Sequence, residues 1–188
     1  MTGTYQTGDV GVVQYGEKVV HEFQLSDYKS VEEVVKRARS IDQRGGEETN
    51  TALGISTARS QAFKQGGRRG AKKVMIVITD GESHDSADLQ QAIEDSEKDG
   101  ITRYAIAVLG YYNRRGINPE AFLNEIKYIA SDPDDKFFVA AVFVYTRLVY
   151  TGTSKNGTAF GLQMSQAGFS AHNVEVSLTD ATPLSHAI

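Results

Sequence analysis

At 188 residues and net charge −4, the chain is sized for one domain with a real hydrophobic core. An apolar fraction of 40% and a charged fraction of 23% are those of a soluble globular chain, and the acidic balance supplies no global field for nucleic acid or anionic lipid. The absence of cysteine excludes disulfides and thiolate metal sites.

The start, Met1-Thr2-Gly3-Thr4-Tyr5-Gln6, has neither a basic nor an apolar region, so no signal peptide is expected. Asp9 to Tyr15 reads as a buried strand, and Gly16-Glu17-Lys18 turns it into a second strand, Val19 to Leu25. His21 reads as a sheet side chain rather than a ligand, because no second metal-type residue shares its neighbourhood. Ser30-Val31-Glu32-Glu33 fits a capping box, followed by Val31, Val34, Val35, Ala38 and Ile41 at helical spacing. Gly45-Gly46 ends that helix, and Glu47 to Thr51 leads into another, Ala52 to about Lys64. Gly66-Gly67-Arg68-Arg69-Gly70 reads as a solvated loop.

Val74 to Ile78 is an unbroken apolar run that suits a strand buried on both faces. It stops at Thr79-Asp80-Gly81, with Glu82, Ser83, His84 and Asp85 behind it. A short helix through Leu89, Ala92, Ile93 and Ser96 follows, then a strand over Arg103 to Leu109, a polar-aromatic loop from Gly110 to Gly116, and a helix starting at Asn118-Pro119. Asp132 to Asp135 ends that helix. Alternating helices and buried strands predict an α/β fold with a mostly parallel sheet. Phe137 to Tyr150 is β-branched and aromatic and should be extended, though too short to span a bilayer. Gly152 to Gly157 reads as a linker with a sequon at Asn156, Phe160 to His172 as a further strand, and Asn173 to Ile188 as loose.

A nucleophilic enzyme finds little support: there is no cysteine and no Gly-x-Ser-x-Gly elbow, and His21, His84, His172 and His186 are scattered. Neither phosphate-binding glycine loop is present. An oxygen-ligand metal site fits better, because the carboxyl end of a buried strand is where open α/β sheets bind ligands. Thr49 and Asp80 both stand at junctions of buried elements, and a hydroxyl, a carboxylate and waters suit Mg²⁺. The plain alternative is that Asp80 starts a turn or caps the next helix.

At these residues the chain resembles the inserted, von Willebrand factor A-type domain of integrin alpha chains of the collagen-receptor subclass. The resemblance is carried by DVGVVQYGEKVVHEF, RGGEETNTALGISTARSQAF, GGRRGAKKVMIVITDGESHD and YAIAVLGYYNRRGINPEAFLNEIKYIASDPDDKFF, and later by FGLQMSQAGFSAH. It implies a Rossmann-like, mostly parallel sheet flanked by helices. It also implies a cell-surface, non-enzymatic adhesion role, with Mg²⁺ (or Mn²⁺) as cofactor, the collagen triple helix as ligand and an integrin beta subunit as partner of the parent chain. By position, Thr49 and Asp80 resemble metal ligands, and Gln43, Glu47, Glu82, His84 and Tyr111 resemble collagen-contacting rim residues. Gly110 to Arg114 resembles the short extra helix of collagen binders.

Departures from the family pattern set further expectations. The family's Asp-x-Ser-x-Ser segment and its first central strand are absent, which implies a gap between two half-sheets and weak Mg²⁺ affinity. Val139 to Tyr150 stands where the family's C-terminal helix would lie, and it offers Arg114 no obvious acid. The expected organisation is therefore a partial A-type domain over 1–138 and a divergent extended tail over 139–188, with 160–172 resembling the start of the following propeller segment. A structural A-type domain of a matrix protein, binding partners without metal, is the alternative.

Overall fold

The computed structural model describes residues 9–141 and, beyond them, the strands Leu148–Val149, Thr158–Ser165 and Val176–Ser177. β1 (Val10–Tyr15) and β2 (Val19–Phe23) form the expected antiparallel hairpin, with a register irregularity between Val12 and Val13. α1 (Val31–Arg39) opens on the predicted capping box. The Ser30 hydroxyl accepts from the Glu33 N–H at 3.2 Å, and Glu33 Oε2 accepts from the Ser30 N–H at 3.2 Å.

α2 (Thr51–Thr57) continues through a π-helical stretch, Ala58–Phe63, into the final turn α3 (Lys64–Gly66). The chain leaves it at Gly67, where a side-chain carbon would collide with the Phe63 carbonyl oxygen. Next come β3 (Lys72–Thr79), α4 (Ser86–Lys98), β4 (Ile101–Val108), α5 (Gly110–Arg115), α6 (Glu120–Ile129), α7 (Asp134–Phe137) and β5 (Phe138–Ala141). Residues 110–116, read from their composition as a loop, contain the helix α5, as the family resemblance implied. It ends at Gly116 in the left-handed region, with φ of 64°.

Strand alternation divides the core into two layers. Val13, Tyr15, Met75 and Val77 face one side, packed with Ile55 and Phe63 of the second helix, Leu89 and Ile93 of α4, and Phe122 and Ile126 of α6. Val10, Val12, Ile76, Ile78 and Ile106 face the other, against Val34 of α1. Both faces of β1 and of the second half of β3 are therefore buried, which is why neither strand shows a polar–apolar alternation.

The sequence reading expected a gap in the centre of this sheet, and the structure corrects it. β6 (Leu148–Val149) and β8 (Val176–Ser177) form a separate two-stranded pair, while β7 (Thr158–Ser165) enters the main sheet. The order is β2-β1-β7-β3-β4-β5, and β7 runs parallel to both neighbours. Gly161 of β7 pairs with Gly11 on one side and Met75 on the other. Buried strand edges cannot leave their backbone N–H and C=O groups unpaired, so the chain fills the gap from its own later residues. Thus Phe138–Ala141, in a stretch expected to be extended, and Thr158–Ser165, overlapping the further strand expected over Phe160 to His172, are strands of the six-stranded sheet. Gly152 to Gly157, the sequon at Asn156 and most of Asn173 to Ile188 lie outside the described residues.

Candidate functional site

Because β1, β7, β3, β4 and β5 are parallel, their carboxyl ends share one edge. Gly16, Asp80 and the start of α5 therefore stand on a common rim. The Glu47–Asn50 loop is drawn to the same rim by two backbone contacts. The Asn50 N–H donates to the Gly16 carbonyl at 3.4 Å, and the His84 N–H donates to the Thr49 carbonyl at 2.9 Å.

His84 also works in the opposite direction. Its Nδ1 accepts from the Thr49 N–H at 3.0 Å, so Thr49 and His84 are bonded reciprocally, backbone to backbone and backbone to ring. In this contact the ring acts as an acceptor through Nδ1. Thr49 is 1% exposed, while His84 lies on the surface. The expected metal ligands thus lie on adjoining loops, and a predicted rim residue is what clamps those loops together.

Asp85 is the residue the sequence reading undervalued. Standing just before α4, it looks like the cap of that helix, yet its carboxylate makes no such bond. Instead Oδ1 accepts from the Ala52 N–H at 3.0 Å and Oδ2 from the Leu53 N–H at 2.8 Å. Asn50, the local N-cap of α2, makes no side-chain capping bond, so Asp85 caps that helix from 33 residues away in sequence. The Ser83 hydroxyl donates to the same carboxylate at 2.6 Å and fixes its rotamer.

The remaining predicted rim residues are exposed or half-buried. Gln43 sits between two anchored positions: Gln14 Nε2 donates to the Asp42 carbonyl at 2.9 Å, and the Arg44 N–H donates to Gln14 Oε1 at 3.3 Å. Glu47 and Glu82 are exposed. Tyr111 is half-buried, edge-on to Tyr112 and covered by the Arg115 guanidinium 4.9 Å from its ring centre. Tyr112 is buried and stacked on Phe122 with ring centres 5.0 Å apart, which seats α5 on α6.

The rim is strongly acidic. Burial, with Glu82, Glu125 and Asp80 nearby, pushes the Tyr112 hydroxyl up to about 12. Burial also raises Glu125, with Glu82 and Asp85 adding to it, against the Ser83 N–H that donates to its Oε1 at 2.8 Å. A carboxyl raised in the folded state contributes stability fully present at acid pH and lost as pH climbs through the raised value. Glu125→Gln keeps an acceptor for Ser83 and removes the charge. It should therefore be more urea-resistant than the parent at pH 7.5 and indistinguishable from it near pH 4; an equal difference at both pH values would reject this account.

The oxygen donors expected from the sequence, the Thr49 hydroxyl and the Asp80 carboxylate, stand on the two adjoining loops. Asp85 is committed to α2 and Ser83, and Glu125 to Ser83. Among the described residues no group of three or more His, Asp or Glu side chains is placed to hold a metal. Two such donors would suit only a cation that keeps most of its shell as water.

The model of the von Willebrand factor type A domain matches residues 2–146. The chain belongs to that family. As a type A domain it is 66% identical over 177 residues to human integrin alpha-11 (88% of this chain, 15% of that protein). It is 48% identical over 184 residues to integrin alpha-1 of Gallus gallus, covering 90% of this chain and 64% of that protein. It is also 33% identical over 128 residues to the collagen alpha-1(XXI) chain of Xenopus laevis, covering 68% and 12%. Among solved structures, proximal thread matrix protein 1 from the mussel byssus superposes with a TM-score of 0.60 at 26% identity, covering 71% of this chain and 32% of that one. One structure of that protein is described as having a zinc-occupied MIDAS motif. The type A family match ends before β7 begins.

Proposed function

We propose that this type A domain is a non-enzymatic adhesion module of an integrin alpha chain, taking the collagen triple helix at the carboxyl rim of its sheet. The observation that carries this reading is the reciprocal bonding of Thr49 and His84, which sets the Thr49 loop against the loop that begins at Asp80. The similarity to integrin alpha chains supports it. Thr49 and Asp80 are the residues that would hold Mg²⁺, which supplies positive charge to an incoming carboxylate. The surrounding acids, Glu47, Glu82 and Glu125, favour a cation electrostatically. Gln43, Glu47, Glu82, His84 and Tyr111 are the contact residues of this reading, with Glu47 available to a collagen arginine. The parent chain would pair with a beta subunit and present the domain outside the plasma membrane. Among the described residues no helix is long and apolar enough to cross a membrane.

With only Thr49 and Asp80 as donors, binding of the full chain to immobilised triple-helical peptide is expected to be weak in Mg²⁺. It should fall to background with chelator and in Asp80→Ala. Tight Mg²⁺-dependent binding would overturn the two-donor reading. Binding insensitive to chelator would overturn the metal mechanism and favour a second reading, a structural module of a matrix protein. That reading draws on the similarity to a collagen alpha-1(XXI) chain and a byssus matrix protein.

A further inference from the structure

We infer that the slot between β1 and β3 is a strand-receiving site, filled here by Thr158–Ser165 of the same chain and able to accept that segment from a second copy. The inference rests on sheet topology alone and is independent of the adhesion reading.

Three observations support it. First, the slot demands a strand. Val10 to Tyr15 pair one by one with Phe160 to Ser165, and Lys72 to Ile78 pair with Thr158 to Met164. With β7 in place every residue of β1 is buried, as are Met75 to Thr79 of β3, and removing β7 would strip two apolar strands of a row of backbone partners each. Secondly, each wall of the slot has its own support. The β1–β2 hairpin is held by α1 and by Gln14, whose Nε2 donates to Glu22 Oε1 at 2.9 Å and to the Asp42 carbonyl at 2.9 Å. β3, β4 and β5 are held to one another and to α4 and α6.

Thirdly, the occupant arrives on a long connection. β5 ends at Ala141 and β7 begins at Thr158, leaving residues 142–157 between them. β5 and β7 stand three positions apart in the sheet, ~14 Å, and returning to the amino end of an eight-residue strand adds ~26 Å. Sixteen residues, Leu148–Val149 of β6 among them, can span at most ~53 Å, which exceeds the distance to be covered. A connection of that length would let the segment reach another copy when chains are concentrated and unfolded together.

The chain has no cysteine, so engineered pairs report unambiguously. Val12 and Leu162 are register partners. In full-length chain carrying Val12→Cys and Leu162→Cys, mild oxidation at micromolar concentration should give an intramolecular crosslink at least tenfold faster than a Val12→Cys, Val176→Cys control. Equal rates would overturn the assignment. When Val12→Cys chains and Leu162→Cys chains are mixed at high concentration, unfolded by warming and cooled, a covalent dimer between the two should form. No dimer would overturn the exchange. In the unsubstituted chain, amide exchange over 159–165 should be as slow as over β3, and fast exchange there would overturn the slot's occupancy independently of any variant.

Discussion

Arg103→Ala is expected to lower the thermal midpoint by roughly 10 °C, reflecting a loss of about 3–5 kcal/mol. Arg103 is 1% exposed, one of the largest fully buried side chains among the described residues. Its Nε donates to the Ile129 carbonyl at 2.9 Å, its Nη1 to the Ile101 carbonyl at 3.4 Å and its Nη2 to Glu97 Oε1 at 2.7 Å. The Glu97 side chain is 61% exposed, so the ion pair is screened and adds little by itself. The larger cost comes from the orphaned Ile129 carbonyl at the end of α6 and from the cavity left under α4 and α6. Ser131 fixes the same spot, accepting from the Arg103 N–H and donating its own N–H to the Arg103 carbonyl, both at 2.9 Å. Arg103→Lys keeps charge and stem but lacks the fork, so it should recover less than half of the loss. Calorimetry of the three chains checks this, and a loss under about 1 kcal/mol for alanine would show that the bonds to the carbonyls are dispensable.

Asp85→Ala should cost about 2 kcal/mol and should also loosen the rim. The carboxylate satisfies two N–H groups in the first turn of α2 and takes the Ser83 hydroxyl, so its loss removes the cap of one helix and frees the loop before another. Asp85→Asn retains one acceptor oxygen and should lose about half as much, on the order of 1 kcal/mol. The distinguishing readout is amide exchange. Protection should fall at Ala52, Leu53 and Thr49 while that of β3 stays unchanged. Uniform loss throughout the chain would mean that Asp85 acts on global stability and not on the rim.

Local physics was readable from the residues. The Ser30–Glu33 box, the helix through Val34 and the run from Val74 to Ile78 each carry their own signal within one element, and each stands where it was expected. Interactions between distant elements were not readable. An eight-residue strand has the same composition at an edge as between two partners, so nothing within Thr158–Ser165 announces a central position. The reach of Asp85 carried no local signal, because the backbone donors it satisfies lie on another element, at Ala52 and Leu53. α5 has only six residues, too few for a helical period, and it is held by Tyr112 stacking on Phe122. At the rim, the types and order of Thr49, Asp80 and His84 were legible, but the bond between Thr49 and the His84 ring requires the fold.

The place of β7 also bears on how the molecule is made. Its pairs join Val10 to Phe160 and Lys72 to Thr158, partners about 150 and about 86 residues apart. On a ribosome the walls of the sheet emerge well before the strand that joins them. Until Ser165 is free, β1 and β3 each present an open apolar edge, which is the arrangement most prone to pairing with a neighbouring nascent chain. Contacts of such span also slow folding toward the millisecond-to-second range of non-local β topologies. The interval between synthesis of β3 and capture of β7 is thus when a chaperone that shields strand edges would have its greatest effect on yield.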